Sequence, residues 1–308
     1  MGASLFTICI ATRNRPQCLS QCLNSLILLN DLSFEIIIID DASETSYVPA
    51  IVGNVRLKFR NQIQFYENTI QKGYIYNRNE MAKRAQTSYL LSLDDDAKLM
   101  DAGAIYKALY ILKEDTQIGA IAFPQANENG TLLPLYMQPA PVTYAAYVPS
   151  FRGYGNIIRR DLFLRLGGYR EIFFFSGEED EYCKRMLNEG FHVVYLPNSK
   201  VIHSHSQLGR DHLMGLRYAI RSKCFDAILN EPFPMLILSI PFRILNYMIN
   251  KKKLCEERKI LDKAGIKWLL KELFRNVICL WRQRQPLKWK TYFHWTYLKR
   301  KAPPYKLA

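Results

Sequence analysis

None of the seven cysteines, Cys9, Cys18, Cys22, Cys183, Cys224, Cys255 and Cys279, forms a Cys-x-x-Cys pair. An odd, scattered set argues against a disulfide framework and a zinc cage, and fits a reducing cytoplasm. Cys18 and Cys22 share a helix face by spacing, as buried small hydrophobes do. No Gly-x-Gly-x-x-Gly follows the first expected strand and no Walker-type loop occurs, so a dinucleotide or NTP held in those ways is not expected. The first residues lack a basic stretch followed by an apolar run and a small-residue cleavage site, and no signal peptide is expected. The longest charge-free apolar segment near the C-terminus, Pro232 to Phe242, has 11 residues and three prolines. Spanning a bilayer takes about 20 apolar residues.

The 308 residues suffice for one large domain plus an appendage. At 49% hydrophobic and 23% charged, the chain has the composition of a globular protein rather than a disordered one. Its net charge of +14 is unevenly spread. Residues 1–206 hold 20 Lys+Arg against 21 Asp+Glu, whereas residues 207–308 hold 22 against 7. This predicts an α/β domain over 1–206 and a mainly helical, basic, aromatic-rich region over 207–308.

Apolar runs at Leu5–Ile10, Phe34–Ile39, Gln62–Tyr66 and Tyr89–Leu93 predict strands. Helical patterns at Pro16–Leu29 and Gly73–Ala85 lie between them. The alternation predicts a mainly parallel sheet with right-handed crossovers. A helix follows at Asp101–Lys113 and a strand at Ile118–Phe123. Residues 124–150 carry five prolines and read as loops and short strands lining an acceptor cleft. A helix at Asp161–Leu166, the turn Gly167-Gly168-Tyr169, a helix from Ser176 to Gly190, and strands at His192–Leu196 and Lys200–His203 complete the α/β part. The fourth strand ends in Asp94-Asp95-Asp96. Open α/β sheets bind ligands at the carboxyl ends of their strands. Three crowded carboxylates repel unless a cation joins them, the alternative being a solvated acidic turn before the next helix.

In order, Ile10-Ala11-Thr12-Arg13-Asn14-Arg15, Ile39-Asp40-Asp41-Ala42-Ser43, Arg78-Asn79, Leu93-Asp94-Asp95-Asp96, and Gly177-Glu178-Glu179-Asp180-Glu181-Tyr182-Cys183-Lys184-Arg185 with Val201-Ile202-His203 resemble the inverting family 2 nucleotide-sugar glycosyltransferases of GT-A fold. That family includes bacterial rhamnosyl- and galactosyltransferases. The resemblance covers about residues 4–206. It implies a UDP- or dTDP-sugar donor, a glycan or lipid-linked hydroxyl as acceptor, and a role in surface polysaccharide assembly.

By that resemblance Asp40 accepts the imide N–H of the base, with an Asx turn as the bland alternative. Thr12, Arg13, Arg15 and Asp41 line the donor edge, and Lys72 or Arg78 meets the diphosphate. Asp94 and Asp96 form the family's Asp-x-Asp, with Asp96 the foremost ligand, and Asp95 faces the ribose or the metal. Hard oxygen ligands favour Mg2+ or Mn2+ over zinc, and an imidazole tilts the choice toward manganese. His203 completes the site by resemblance, although His205 shares its strand face and either is a candidate. The catalytic carboxylate falls on Glu179, where many relatives carry Asp, and Asp180 stays open. Ser176-x-x-Glu179 also reads as a capping box. Gly168 and Tyr169 match the Gly-Gly-aromatic turn beneath the acceptor, and core packing is the alternative for the ring.

In the basic third, Ile266, Leu269, Leu270, Leu273, Phe274, Val277 and Trp281 recur at helical spacing. The pattern suits an interfacial helix on the cytoplasmic face of an anionic membrane, where each nearby basic residue contributes roughly 1 kcal/mol. Packing on the catalytic domain or a homo-oligomer contact is the alternative. Two further readings are a nucleic-acid-binding module, which lacks any recognisable reader motif, and a catalytically inactive partner subunit.

Overall fold

The computed structural model describes residues 4–56, 62–204, 211–257 and 259–306. Four parallel strands, β1 (Phe6–Thr12), β2 (Phe34–Asp40), β3 (Gln62–Glu67) and β4 (Tyr89–Asp94), alternate with helices α1 (Pro16–Ser25), α2 (Val48–Arg56) and α3 (Tyr74–Arg84). Pro16 sits in the first turn of α1, where its missing N–H costs nothing. The expected helix to Leu29 ends at Ser25 and tightens into a 3-10 turn over Leu26–Leu29.

After β4 come β5 (Ala97–Leu99), α4 (Ala102–Glu114), β6 (Ile118–Ala122), β7 (Gln125–Ala126), β8 (Ala146–Val148), β9 (Gly155–Arg159), α5 (Arg160–Arg165), α6 (Glu178–Asn188), β10 (His192–Tyr195) and β11 (Val201–His203). Asp101 caps α4 by accepting from the Gly103 N–H. The eight-stranded sheet runs β3-β2-β1-β4-β9-β6-β10-β8. Strand β9 is antiparallel to both β4 and β6, so a reversed strand lies inside the mainly parallel sheet, and β8 runs antiparallel to β10 at its edge. A second sheet, β5-β11-β7, leans on the end of β4.

Burial explains why the runs become strands. In β2 all seven residues are buried, and their side chains alternate between two cores. Ile36 and Ile38 join the cluster shared with α1, α2 and α4, while Ile37 and Ile39 join the cluster with α3, α5 and α6. Each such side chain contributes about 1.5–3 kcal/mol when fully buried.

Four helices follow: α7 (His212–Asn230), α8 (Met235–Glu257), α9 (Gly265–Arg282) and α10 (Trp289–Lys301). They share the second core through Phe225 and Leu229 of α7 and Trp295 and Leu298 of α10. The tail then returns to the sheet edge, where the Tyr147 N–H donates to the Pro303 carbonyl and the Tyr305 N–H to that of Ala145.

The carboxyl edge of the sheet is fastened by Asp41. Its carboxylate accepts from the backbone N–H groups of Lys72 and Gly73, each at 2.8 Å, and from Asn68 Nδ2 at 2.9 Å. The start of α3 is thereby tied to the end of β2. Asp41→Ala leaves these donors unpaired, at about 1–3 kcal/mol for a buried one. A lowered urea midpoint with unchanged slope is the expected outcome. An unchanged midpoint shows that the loop is held by other contacts.

Candidate active site

Asp94 closes β4, and Asp95 and Asp96 make the turn into β5. Pairing of β11 with β5 sets His203 opposite Ala97, and the Ser204 N–H donates to the Asp96 carbonyl at 2.9 Å. His203 Nε2 then lies 3.1 Å from Asp96 Oδ1 and 3.7 Å from Asp94 Oδ2. The Tyr154 ring stacks on the imidazole at 5.3 Å, and its hydroxyl donates to the Phe123 carbonyl. One ligand atom from each of Asp94, Asp96 and His203 falls within 4.8 Å of the others. Two carboxylates and an imidazole fit a hard or borderline divalent cation. His205 lies outside the described residues.

Asp95 turns the other way and takes no part in that cluster. It accepts from Thr12 Oγ1 at 2.8 Å and from Arg15 Nη1 at 3.1 Å. Burial pushes its carboxyl up to about 6, against the pull of Arg15. Arg15 also lies 3.8 Å from Asp96, so it joins the two acids that crowd the turn. Asp40, 2% exposed, accepts from the Ser43 N–H at 3.0 Å and from its hydroxyl, which is the Asx turn. Burial raises its carboxyl above the ordinary range. Lys72 is exposed, with Nζ 5.7 Å from the centre of the Tyr76 ring. Arg13 keeps a buried Nε with no hydrogen-bond partner.

Arg78 of α3 stands between the acidic turn and α6. It donates to Asp94 Oδ1 at 2.6 Å and to the Gly153 carbonyl at 2.9 Å, and its other nitrogen lies 3.5 Å from Glu179 and 3.6 Å from Glu178. The Tyr74 ring lies 4.9 Å beneath the guanidinium. A Cβ on Gly153 would fall 2.5 Å from Glu179 Oε1 and 2.8 Å from Arg78 Nη1, so a larger residue there would push these two side-chain ends from their present positions.

The capping box does not form. Gly177, at φ +93°, precedes α6 with no side-chain cap, and the Ser176 N–H donates to the Tyr74 hydroxyl at 2.8 Å. Glu179 is therefore left beside Arg78. Asp180 accepts from the Ser150 hydroxyl at 2.5 Å. Tyr169 is 2% exposed, with its ring between Phe163 at 4.8 Å and Tyr182 at 5.6 Å, so stacking on a sugar gives way to core packing. Asn79 clamps that turn, accepting from the Tyr169 N–H and donating to its carbonyl. Gly168, at φ +68°, belongs to the same clamp, since a Cβ there would lie 2.6 Å from Asn79 Oδ1.

No motif singles out Glu178. It is fully buried, and neither carboxylate oxygen has a hydrogen-bond partner. Helical spacing gives no signal either, because Tyr182, Cys183 and Met186, at i+3, i+4 and i+7 from Glu179, are buried as well, so periodicity does not separate Glu178 from its neighbours.

The glycosyl transferase family 2 profile matches residues 7–176, more than half of the chain. The chain belongs to glycosyl transferase family 2. A Haemophilus influenzae protein described as an uncharacterized glycosyltransferase is 24% identical over 201 residues, 63% of this chain and 66% of its own length. Among solved structures, GalNAc-T7 with UDP, GalNAc and Mn2+ is 15% identical with a TM-score of 0.59, over 89% of this chain and 57% of that one. The Pyrobaculum calidifontis mannosyltransferase PcManGT, in complex with GDP-Man and Mn2+, is 15% identical with a TM-score of 0.56, over 97% and 85%. This chain thus spans just under two thirds of the curated relative. The structural likenesses agree in fold, a family 2 GT-A domain. Glu178, Glu179 and His203 lie beyond the profile match and rest on geometry.

Burial first, and Glu179 second, hold the Glu178 carboxyl well above the ordinary range, with Arg78 opposing. The native state then keeps this proton more tightly than the unfolded chain, so the contribution of Glu178 to stability falls as pH rises above the ordinary glutamate value of about 4.3. Glu178→Gln is expected to gain stability relative to the parent between that pH and neutrality. Urea midpoints at the two pH values test it, and a gap that stays constant or shrinks contradicts the buried, protonated carboxyl.

Proposed function

We propose that the protein is an inverting glycosyltransferase that moves a hexose or deoxyhexose, such as rhamnose or galactose, from a UDP- or dTDP-sugar to a hydroxyl of a glycan or lipid-linked acceptor in surface polysaccharide assembly. One observation carries the reading: a single guanidinium, Arg78, joins Asp94 of the metal-competent cluster to Glu179 of α6. The fold family, and the nucleotide and Mn2+ held in the GalNAc-T7 and PcManGT structures, support it.

Asp94, Asp96 and His203 would hold a divalent cation, Mn2+ or Mg2+, which would supply Lewis-acid neutralisation of the diphosphate charge. Asp40 accepts from the base, and Thr12, Arg13, Arg15 and Lys72 border the donor. Asp41 and Asp95 serve it indirectly, the first by fixing the α3 loop and the second by orienting Arg15. Glu179 takes the proton of the attacking acceptor hydroxyl. A general base must lie within hydrogen-bond reach of the proton it takes, and Arg78 Nη1, 3.5 Å away, fixes where the Glu179 carboxylate stands. Asp180 is the weaker candidate because Ser150 engages it. Gly168 and Tyr169 support the acceptor side from beneath.

Asp96→Ala is expected to abolish metal-dependent transfer with the melting temperature retained, since removing one of three crowded acids also relieves repulsion. Normal turnover in excess Mn2+ would sink the metal assignment. Glu179→Gln is expected to bind donor yet lose about 10²-fold or more in transfer. An active Glu179→Gln beside a dead Asp180→Asn moves the base by one residue. No UDP or dTDP release by the parent from any UDP- or dTDP-sugar, with or without Mn2+, would mark an inactive partner subunit.

A further inference from the structure

The expected apolar stripe of α9 divides in two. Leu269 is 1% exposed and Leu273 packs against the second core. Leu270, Phe274, Val277 and Trp281 face outward at i, i+4, i+7 and i+11, with Phe274 82% exposed. The helix is therefore apolar on the face that packs on α7 and apolar again on the face away from it. The same holds for its neighbours. Leu238, Phe242 and Leu245 form an exposed stripe on α8, and Trp289, Phe293 and Tyr297 one on α10, whose Trp295 and Leu298 are buried. Phe233, in the turn just before α8, lies edge to face on Trp281 of α9 at 6.2 Å, with the Arg284 guanidinium over both rings. Trp289 and Phe293 stack at 5.6 Å on α10.

We propose that the outer faces of α8, α9 and α10 form a docking surface for an anionic lipid leaflet. Charge decides among the occupants. Residues 207–308 carry 22 Lys+Arg against 7 Asp+Glu, so a second copy laid on the same face would set like charge against like. Exposed Lys267, Lys271, Arg275 and Arg282 border the α9 stripe. Apolar and aromatic residues flanked by Lys and Arg on a helix that lies in the surface are what a headgroup boundary selects. Among the described residues no helix is long and apolar enough to cross a membrane, so attachment is peripheral. Ring contacts tie the opposite, α7-facing side of α9 to the loop before α6: Phe174 to Tyr218 at 5.5 Å, and Tyr218 to Trp268 of α9 at 5.7 Å. If the proposed function holds, attachment here would bring the site to a lipid-linked acceptor, but lipid binding itself does not depend on that reading.

Flotation of the full chain with phosphatidylcholine vesicles, and with phosphatidylcholine mixed with phosphatidylglycerol, tests the surface at low and high salt. Binding to the anionic vesicles at low salt, weakened at high salt, is expected. The double variant Phe274→Asp, Trp281→Asp should stop floating while keeping the parent's melting temperature, because both side chains are more than half exposed. Absence of the parent from anionic vesicles at low salt overturns the proposal, as does undiminished flotation of the variant. A dimer in light scattering that the variant dissociates, with no lipid binding, assigns the face to a second copy instead.

Discussion

One buried guanidinium holds the carboxyl edge of the sheet to α6. Arg78 is 7% exposed and faces Asp94, Glu178 and Glu179, with the Gly153 carbonyl as a further acceptor. Burial disfavours its charge, but the acids around it outweigh that and raise its pKa. Removing one partner of such a buried pair typically costs about 3–5 kcal/mol, because the remaining charges are stranded. The arginine is thus at once the join between two parts of the fold and the counter-charge to the acids placed for chemistry.

The positions of its partners follow from the backbone. Parallel pairing of β1 with β4 sets Ala11 beside Asp94, and so brings Thr12 and Arg15 to Asp95. The small sheet brings His203 to Asp96 by pairing β11 with β5. Asp41 ties down the start of α3, and Asn79 on the same helix clamps the Gly168-Tyr169 turn. Polar side chains near the site therefore divide into those that face the edge and those that hold it, a division that residue type alone does not reveal.

The parallel strands and the acidic turn were legible because burial on both faces gives continuous apolar runs, and three acids crowded at a strand end repel one another unless a cation joins them. Strand β9 and its reversal were not, since Gly155–Arg159 offers only Ile157 and Ile158 as an apolar pair, and pairing with β4 and β6 is what makes it a strand and fixes its sense. The cap expected as the alternative at Glu179 does not form, because the Tyr74 hydroxyl accepts the Ser176 N–H from far along the chain. Tyr169 matched a motif yet packs inside, because its turn lies against Phe163 and Tyr182. Glu178 is hard to find in the sequence because buried carboxylates are rare, and because helical spacing to the buried residues of α6 fits Glu179 and Asp180 equally well.

Calorimetric titration of UDP and dTDP into the protein, once with Mn2+ and once with a chelator, tests the central claim that the acidic edge is a metal-assisted nucleotide-sugar site. The account predicts binding of at least one nucleotide with Mn2+ and marked weakening in chelator. Binding of neither nucleotide, or equal affinity in the two conditions, would contradict it.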